Sequence, residues 1–394
     1  MIMAADKQDK VLNVPNLRFP EFSGEWKKYK LGDIMEFTKE RISSSLLTED
    51  NYVSTENMLQ DFQGITHAHN VPEDTNVMEY KQGDVLVSNI RPYLKKIWMA
   101  DKDGGCSADV YVMRANRNVC TDDFLHHIVA NDRFIGYVMS GAKGVKMPRG
   151  DKEQMKGYET ALPSLIEQQK VAHLLAIIDE RIITQIRIIN EIQSLISGIT
   201  QKISKHSSIR MTMLSELLEE RNEKNTALFP VHSVSVSEGV INQIDYLGRS
   251  FAAADTSHYN VAHKGDIIYT KSPTGEFPFG IVKRNAIESN VAVSPLYGVY
   301  KPISDDVAIY LHYYFCSPLN AQNYLHKLIQ KGAKNTINIT NQRFVQNCIP
   351  LPDKKTLEGF VKLTTTVSTK LKLEKSLLEK LQKQKRYLLT QMFV

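Results

Sequence analysis

The sequence predicts an α+β chain: two similar globular domains joined by two long helices that pair as an antiparallel coiled coil, with a pseudo-two-fold relation between the halves. Three observations predict it. A Leu-Pro pair leads into a long apolar-striped segment twice, at Leu162-Pro163 and at Leu351-Pro352. Upstream, Gln82-Gly83-Asp84-Val85-Leu86 is matched by Lys264-Gly265-Asp266-Ile267-Ile268, each followed by basic residues. Between these points Gly141-Ala142-Lys143 recurs as Gly332-Ala333-Lys334. A repeat close to half the chain in length is far longer than a solenoid unit, so it marks two whole domains.

The elements follow in order. Residues 1–15 are expected to form a flexible N-terminus and 16–163 the first domain. Within it, Asp84–Ser88 and Val110–Met113 read as strands, and a single helix is expected over Asp122–Met139 from the spacing of its apolar residues. A central helix is expected over 164–206. The second domain, 207–352, repeats the plan with strands at Asp266–Tyr269 and Val291–Tyr300 and a helix near Ala308–Ile329. A second long helix is expected over 353–394.

The long helices carry heptads. In the first, Ile178, Ile182, Ile189, Ile192, Ile196 and Ile199 keep a three-four alternation broken at Gln185. In the second, Val367, Leu371, Leu378, Leu381 and Leu388 keep it, broken at Glu374 and Lys385. Such stripes ask for a partner helix. A register with Ile178 opposite Met392 places Gln185 opposite Lys385 and Ile196 opposite Glu374. Further apolar residues (Ile183, Ile186, Ile188, Leu195) widen the first stripe beyond the need of two helices, which suggests protein partners.

At 394 residues two ordinary domains fit, and the 42% hydrophobic fraction is that of a globular protein. No apolar run approaches the roughly 20 residues that span a bilayer, and charges in Met1–Lys10 stand where a signal peptide needs an apolar core. Cys106, Cys120, Cys316 and Cys348 show no Cys-x-x-Cys spacing, which argues against a zinc cage and fits a reducing cytoplasm. The net charge of +5 is mild. Cations are instead concentrated in loops such as Lys143–Lys152 and Lys331–Arg343, and toward the C-terminus from Asp353.

Catalytic signatures are missing. There is no Gly-x-x-x-x-Gly-Lys-Ser/Thr phosphate loop, no His-Glu-x-x-His, no Asn/Asp-Pro-Pro-aromatic tetrapeptide and no glycine-rich cofactor loop after a first strand. Glu79-Tyr80-Lys81 has a nuclease-like ending, but Asp74 lies too close for that pattern. His126 and His127 read as ordinary surface and core residues, and no metal site is expected.

Four segments together resemble the specificity (S) subunit of type I restriction-modification systems. Asn13-Val14-Pro15-Asn16-Leu17-Arg18-Phe19-Pro20-Glu21-Phe22-Ser23-Gly24-Glu25-Trp26, followed by Leu31-Gly32-Asp33-Ile34, is similar to that family's opening segment. Leu162-Pro163-Ser164-Leu165-Ile166-Glu167-Gln168-Gln169 is similar to the entry of its central spacer helix. The Gly-Asp-aliphatic elements at Gly83 and Gly265 resemble those of its target recognition domains, and Lys385–Phe393 resembles the end of its second spacer helix. The second copy departs from the pattern, since Leu351-Pro352 is followed by Asp353-Lys354-Lys355-Thr356-Leu357-Glu358 without the Glu-Gln pair.

The resemblance implies a non-catalytic reader of double-stranded DNA whose target is split and bipartite, and the differing loops Gly141–Gly150 and Gly332–Asn341 predict that it is asymmetric. It implies two methyltransferase subunits and restriction subunits as partners. S-adenosylmethionine, ATP and Mg are then bound by those partners and no cofactor by this chain. Phosphate contacts need cations, and base edges need Asn, Gln, Arg, Ser or Thr. In the first domain the candidates are Lys39, Arg41, Arg91, Lys95, Lys143, Lys146 and Arg149. In the second they are Arg221, Lys224, Lys271, Thr274, Lys331, Lys334, Asn335, Asn338 and Arg343, with Asn335 and Asn338 suited to adenine. About 35 helical residues at roughly 1.5 Å each span on the order of 50 Å, a ruler between half-sites. The alternative reading is a coiled-coil scaffold whose two domains bind other proteins, with charged loops that are solvated faces.

Overall fold

A computed structural model describes residues 13–394, apart from Val145, Ser207, 245–254 and 332–336. It divides into two units, residues 1–186 with 376–394, and residues 187–375.

The first unit is built on a four-stranded antiparallel sheet in the order β2 (Met35–Phe37), β9 (Val110–Ala115), β6 (Val85–Ser88), β7 (Ile97–Met99). All four residues of β6 are buried, as expected of a central strand covered on both faces. A second sheet runs β3 (Arg41–Ser43), β5 (Asn76–Tyr80), β8 (Gly104–Cys106), β4 (Tyr52–Val53). The helix expected over Asp122–Met139 is two: α2 (Asp122–Val129) and α3 (Asp132–Ser140). Asn131 breaks it, because its side chain accepts the Arg133 N–H at 2.9 Å and caps a new helix.

The second unit repeats the main sheet as β12 (Leu218–Glu220), β19 (Gly298–Pro302), β16 (Ile267–Thr270), β17 (Ile281–Arg284). The strand expected over Val291–Tyr300 is split into β18 (Val291–Val293) and β19 by a turn in which Tyr297 N–H reaches Ser294 C=O at 3.0 Å. The expected helix near Ala308–Ile329 is likewise split, into α6 (Asp305–Cys316) and α7 (Pro318–His326). Here Ser317 caps α7 by accepting the Asn320 N–H, and Pro318 fits the first helical position.

The Leu-Pro pairs have a structural role in both units. β1 (Lys27–Lys30) pairs with β10 (Glu159–Leu162), and β11 (Arg210–Met213) with β22 (Cys348–Leu351). Each leucine ends a strand, the proline stops it, and the next residue caps a long helix. Ser164 Oγ accepts Glu167 N–H at the head of α5 (Leu165–Ile203). Asp353 Oδ1 accepts Thr356 N–H at 2.9 Å at the head of α9 (Lys354–Met392).

Every seam position predicted from the heptads is buried or half-buried: Ile178, Ile182, Ile189, Ile192, Ile196, Ile199, Val367, Leu371, Leu378, Leu381 and Leu388. Gln185 and Glu374 are buried among them. In the first unit, Val171, Leu175 and Ile178 share a core with Leu388, Leu389, Met392 and Phe393. The expected register needs correction. Lys385 pairs with Asp179 at 2.5 Å. Six residues are about 9 Å along a helix, so the pairing is displaced by close to one heptad. Ile183 and Leu195, from the surplus stripe, are exposed.

Of the N-terminal segment expected to be flexible, 1–12 lie outside the described residues. Asn13 is held, because its carbonyl accepts Trp26 N–H at 2.7 Å, and Pro15 is buried. Trp26 in turn packs edge-on against Phe124 and Phe393 and donates its indole N–H to Glu167 at 3.3 Å.

Candidate nucleic-acid interface

The Gly-Asp element is a turn stapled by its own aspartate. In the first domain Gly83 sits at φ 92°, in the left-handed region that favours glycine. Asp84 is buried and accepts Lys81 N–H at 2.8 Å. Arg114 of β9 then grips both Asp84 oxygens, at 2.9 and 2.8 Å. The second domain builds the same turn, with Gly265 at φ 90° and Asp266 accepting His263 N–H at 2.8 Å. The guanidinium comes from elsewhere: Arg221, directly after β12, at 2.7 and 3.2 Å.

In the first domain the chain leaving β6 is joined to the Gly141–Gly150 loop. Asn89 C=O accepts Gly150 N–H at 2.8 Å, and Arg91 donates its N–H to Pro148 C=O at 2.7 Å. The loop closes on itself through Lys143 and Arg149, whose backbones exchange hydrogen bonds of 3.2 and 3.0 Å. Gly144 at φ 100° makes that closure possible. The result brings Arg91, Lys143, Lys146 and Arg149 together as exposed side chains. Lys143 is 85% exposed and only grazes Asp151 at 3.9 Å, whereas Arg149 leans on Asp109 at 2.9 Å.

The Arg91 segment is also strained. Arg91 and Lys95 have φ of 50° and 55° on either side of a tight turn over Pro92–Leu94. Asp61 and Phe62, also left-handed, donate their N–H groups to the Leu94 and Lys95 carbonyls. Non-glycine residues adopt this backbone at a cost, and such positions cluster where a side chain must be aimed. Tyr93 and Met147 stand exposed on these two segments, and sequence reasoning missed them because a single apolar loop residue carries no periodic signal.

The other candidates are dispersed. Lys95 is held by Asp132 at 2.8 Å and by Asp61 at 3.9 Å, so its charge is engaged within the domain. Lys39 and Arg41 are exposed beside the second sheet, Arg41 reaching Asn76 C=O at 3.4 Å.

In the second domain Arg221 is a correction, since its guanidinium is committed to buried Asp266 rather than free for phosphate. Lys224 donates to Asn260 at 2.6 Å. Lys271 is half-buried, and burial pulls its ammonium below the ordinary lysine range while Glu220 opposes the shift. Thr274 is exposed in a turn where it exchanges backbone hydrogen bonds of 3.1 and 2.9 Å with Phe277. Arg343 is half-buried, and its Nε donates to Leu328 C=O at 2.8 Å, holding the segment before β20 (Gln330–Lys331). Lys331 and Asn338 lie in the paired strands β20 and β21 (Ile337–Asn338), but their side chains lie outside the described residues. Lys334 and Asn335 lie outside them entirely.

Among the described residues no group of histidines, cysteines or carboxylates could hold a metal, and no helix is long and apolar enough to cross a membrane. His127 is buried and His126 half-buried, and burial, with Lys385 nearby, pushes both imidazoles down, that of His126 to about 3. An open cleft of about 660 Å³ in the first domain is lined by Lys81, Arg114 and Arg117. Each of them faces an acid, Glu40, Asp84 and Asp122 respectively.

A family model described as the type I restriction modification DNA specificity domain matches residues 23–194. The specificity subunit of the type I restriction enzyme EcoDI of Escherichia coli is 29% identical over 93 residues, 24% of this chain. The chain spans 20% of that relative's length. The fold is similar to that of the type I restriction-modification S subunit from M. genitalium, with a TM-score of 0.59 and 14% identity, covering 97% of this chain and 99% of that one. Residues 23–194 are thus similar to the type I restriction modification DNA specificity domain, and the fold of the chain is similar to that of a type I S subunit.

Proposed function

We propose that the chain is the sequence reader of a type I restriction-modification complex, each domain binding one half of a split, asymmetric duplex target. The observation that carries the reading is the basic cluster of Arg91, Lys143, Lys146 and Arg149, which the hydrogen bonds from Arg91 and Gly150 fix at the exit of β6. Exposed cations on a rigid edge suit phosphates, which dominate affinity and set the register for base contacts. Two methyltransferase subunits and restriction subunits assemble on the chain in this reading, in the cytoplasm. The methylation and cleavage chemistry, with S-adenosylmethionine, ATP and Mg, resides in them. Exposed apolar residues along the long helices, Ile183 and Leu195 on α5 and Leu373 and Leu377 on α9, are available for such partners.

The test is to express the chain with a methyltransferase partner and map methylated adenines across a genome. A motif of two half-sites with a fixed gap is expected, and replacing Ser207–Pro350 by the corresponding segment of a relative should change one half-site only. Both half-sites changing would overturn the modular reading. Absence of sequence-selective methylation, together with no selective retention on DNA, would favour a protein scaffold.

A further inference from the structure

A cluster between β17 and α6 of the second domain takes no part in that reading. Lys283 of β17 is 4% exposed, and its ammonium donates to the Cys316 sulfur at 3.3 Å. An ammonium so deeply placed needs an anionic partner. Cys316 closes α6, one turn after His312, so both side chains lie on one face of that helix. His312 Nδ1 accepts the Arg284 N–H at 3.3 Å. Nε2 of the same ring faces the sulfur at 3.9 Å. Arg284 itself is paired with Asp305. From α9 the facing group is Ser368, hydrogen-bonded to Tyr313 beside the cluster. No carboxylate among these groups competes for Lys283.

We propose that Cys316 rests as a thiolate paired with the Lys283 ammonium and is a modification site for soft electrophiles and hydroperoxides. Burial acts to raise its thiol, but His312 and then Lys283 outweigh it and bring the group down to about 6. Cys106 and Cys120 are the internal contrast, since burial without a cation pushes both up to about 12. With a hydroperoxide the thiolate attacks the terminal oxygen, the S–O bond forms and the O–O bond breaks. The sulfur loses two electrons, and the leaving oxygen takes a proton to give an alcohol, or water from hydrogen peroxide. The neutral sulfenic acid no longer balances Lys283, which loosens the contact between α6 and β17.

The test uses the full chain, folded. Iodoacetamide alkylation is followed from pH 5 to 9.5, with each cysteine quantified by peptide mass spectrometry. The rate for Cys316 should be half-maximal near pH 6, and in Lys283→Met or His312→Asn the midpoint should rise by at least one pH unit. The pH midpoint is the readout because lower basicity also lowers intrinsic nucleophilicity, so the rate at neutral pH changes little. After hydrogen peroxide, a dimedone adduct should appear at Cys316, not at Cys106 or Cys120, and vanish in Cys316→Ser. A midpoint at the ordinary cysteine value of about 8.5 would overturn the proposal. So would labelling of Cys316 only after denaturation.

Discussion

In the first domain Asp84 takes its guanidinium from Arg114 on β9, whereas in the second Asp266 takes it from Arg221, just after β12. The two turns are otherwise alike, with the same left-handed glycine and the same aspartate-to-backbone bond three residues back. A buried carboxylate at the entry to a central strand must be paired, but neighbouring strands are interchangeable as the source of its cation. The arginine that supplies it is thereby withdrawn from the surface. The helix entries differ in the same spirit. At α5, Glu167 binds Arg18 at 2.7 and 2.8 Å, and Gln168 ties Thr121, Val119 and Pro163. At α9, Asp353 caps through Thr356 and is also hydrogen-bonded to Ser208. The first copy therefore clasps its preceding segment through Glu167 and Arg18, whereas in the second the capping aspartate itself holds Ser208.

The largest effect that would sharpen this comparison is removal of the staples. Breaking a buried pair costs about 3–5 kcal/mol, so Asp266→Ala should destabilise the second domain by about that much. Asp84→Ala should cost less in the first, because Arg114 retains Glu40 at 2.9 Å, closer than the 3.7 Å at which Arg221 meets Glu223. Both tryptophans, Trp26 and Trp98, lie in the first domain. Urea unfolding followed by tryptophan fluorescence should therefore respond to Asp84→Ala, while circular dichroism alone reports Asp266→Ala. An equal response of the fluorescence to both would mean that the domains unfold as one.

Next in size are the helix entries. Glu167→Gln weakens a charge-assisted contact to Arg18 and should cost about 2 kcal/mol, against about 1 kcal/mol for Asp353→Ala as a lost cap. Thermal unfolding would rank them, and equal values would undo the contrast drawn between the entries.

The arginines give a smaller effect that bears on DNA. Arg91→Gln should lower the slope of log affinity against log salt by about 0.9, the loss of one phosphate contact. Arg221→Gln should leave that slope unchanged, as read by fluorescence anisotropy on a duplex. A flattened slope for Arg221→Gln would mean that it leaves Asp266 for the backbone. Smallest are the caps that split the domain helices: Asn131→Ala and Ser317→Ala should each cost about 1 kcal/mol in denaturant unfolding.

Much of the architecture was legible because it rests on local signals. Leucines and isoleucines at three-four spacing place a seam on a helix whatever the partner, and Leu-Pro ends a strand wherever it falls. The single helices expected in each domain were broken because capping by Asn131 and Ser317 interrupts an apolar pattern that itself runs on. Ser304 and Thr121 cap in the same way, so polar residues inside such a pattern were the available sign.

The repeated plan, the seam residues and the glycine turns are written locally, since each depends on residues within a few positions of one another. Which cations remain free depends instead on packing between distant segments. Arg221 and Asp266 are 45 positions apart and Arg114 and Asp84 are 30 apart, and adjacency of strands, not of sequence, brings them together. The helix register was decided in the same way: heptads repeat, so apolar spacing fits slipped pairings equally well, and the Lys385–Asp179 contact selects among them.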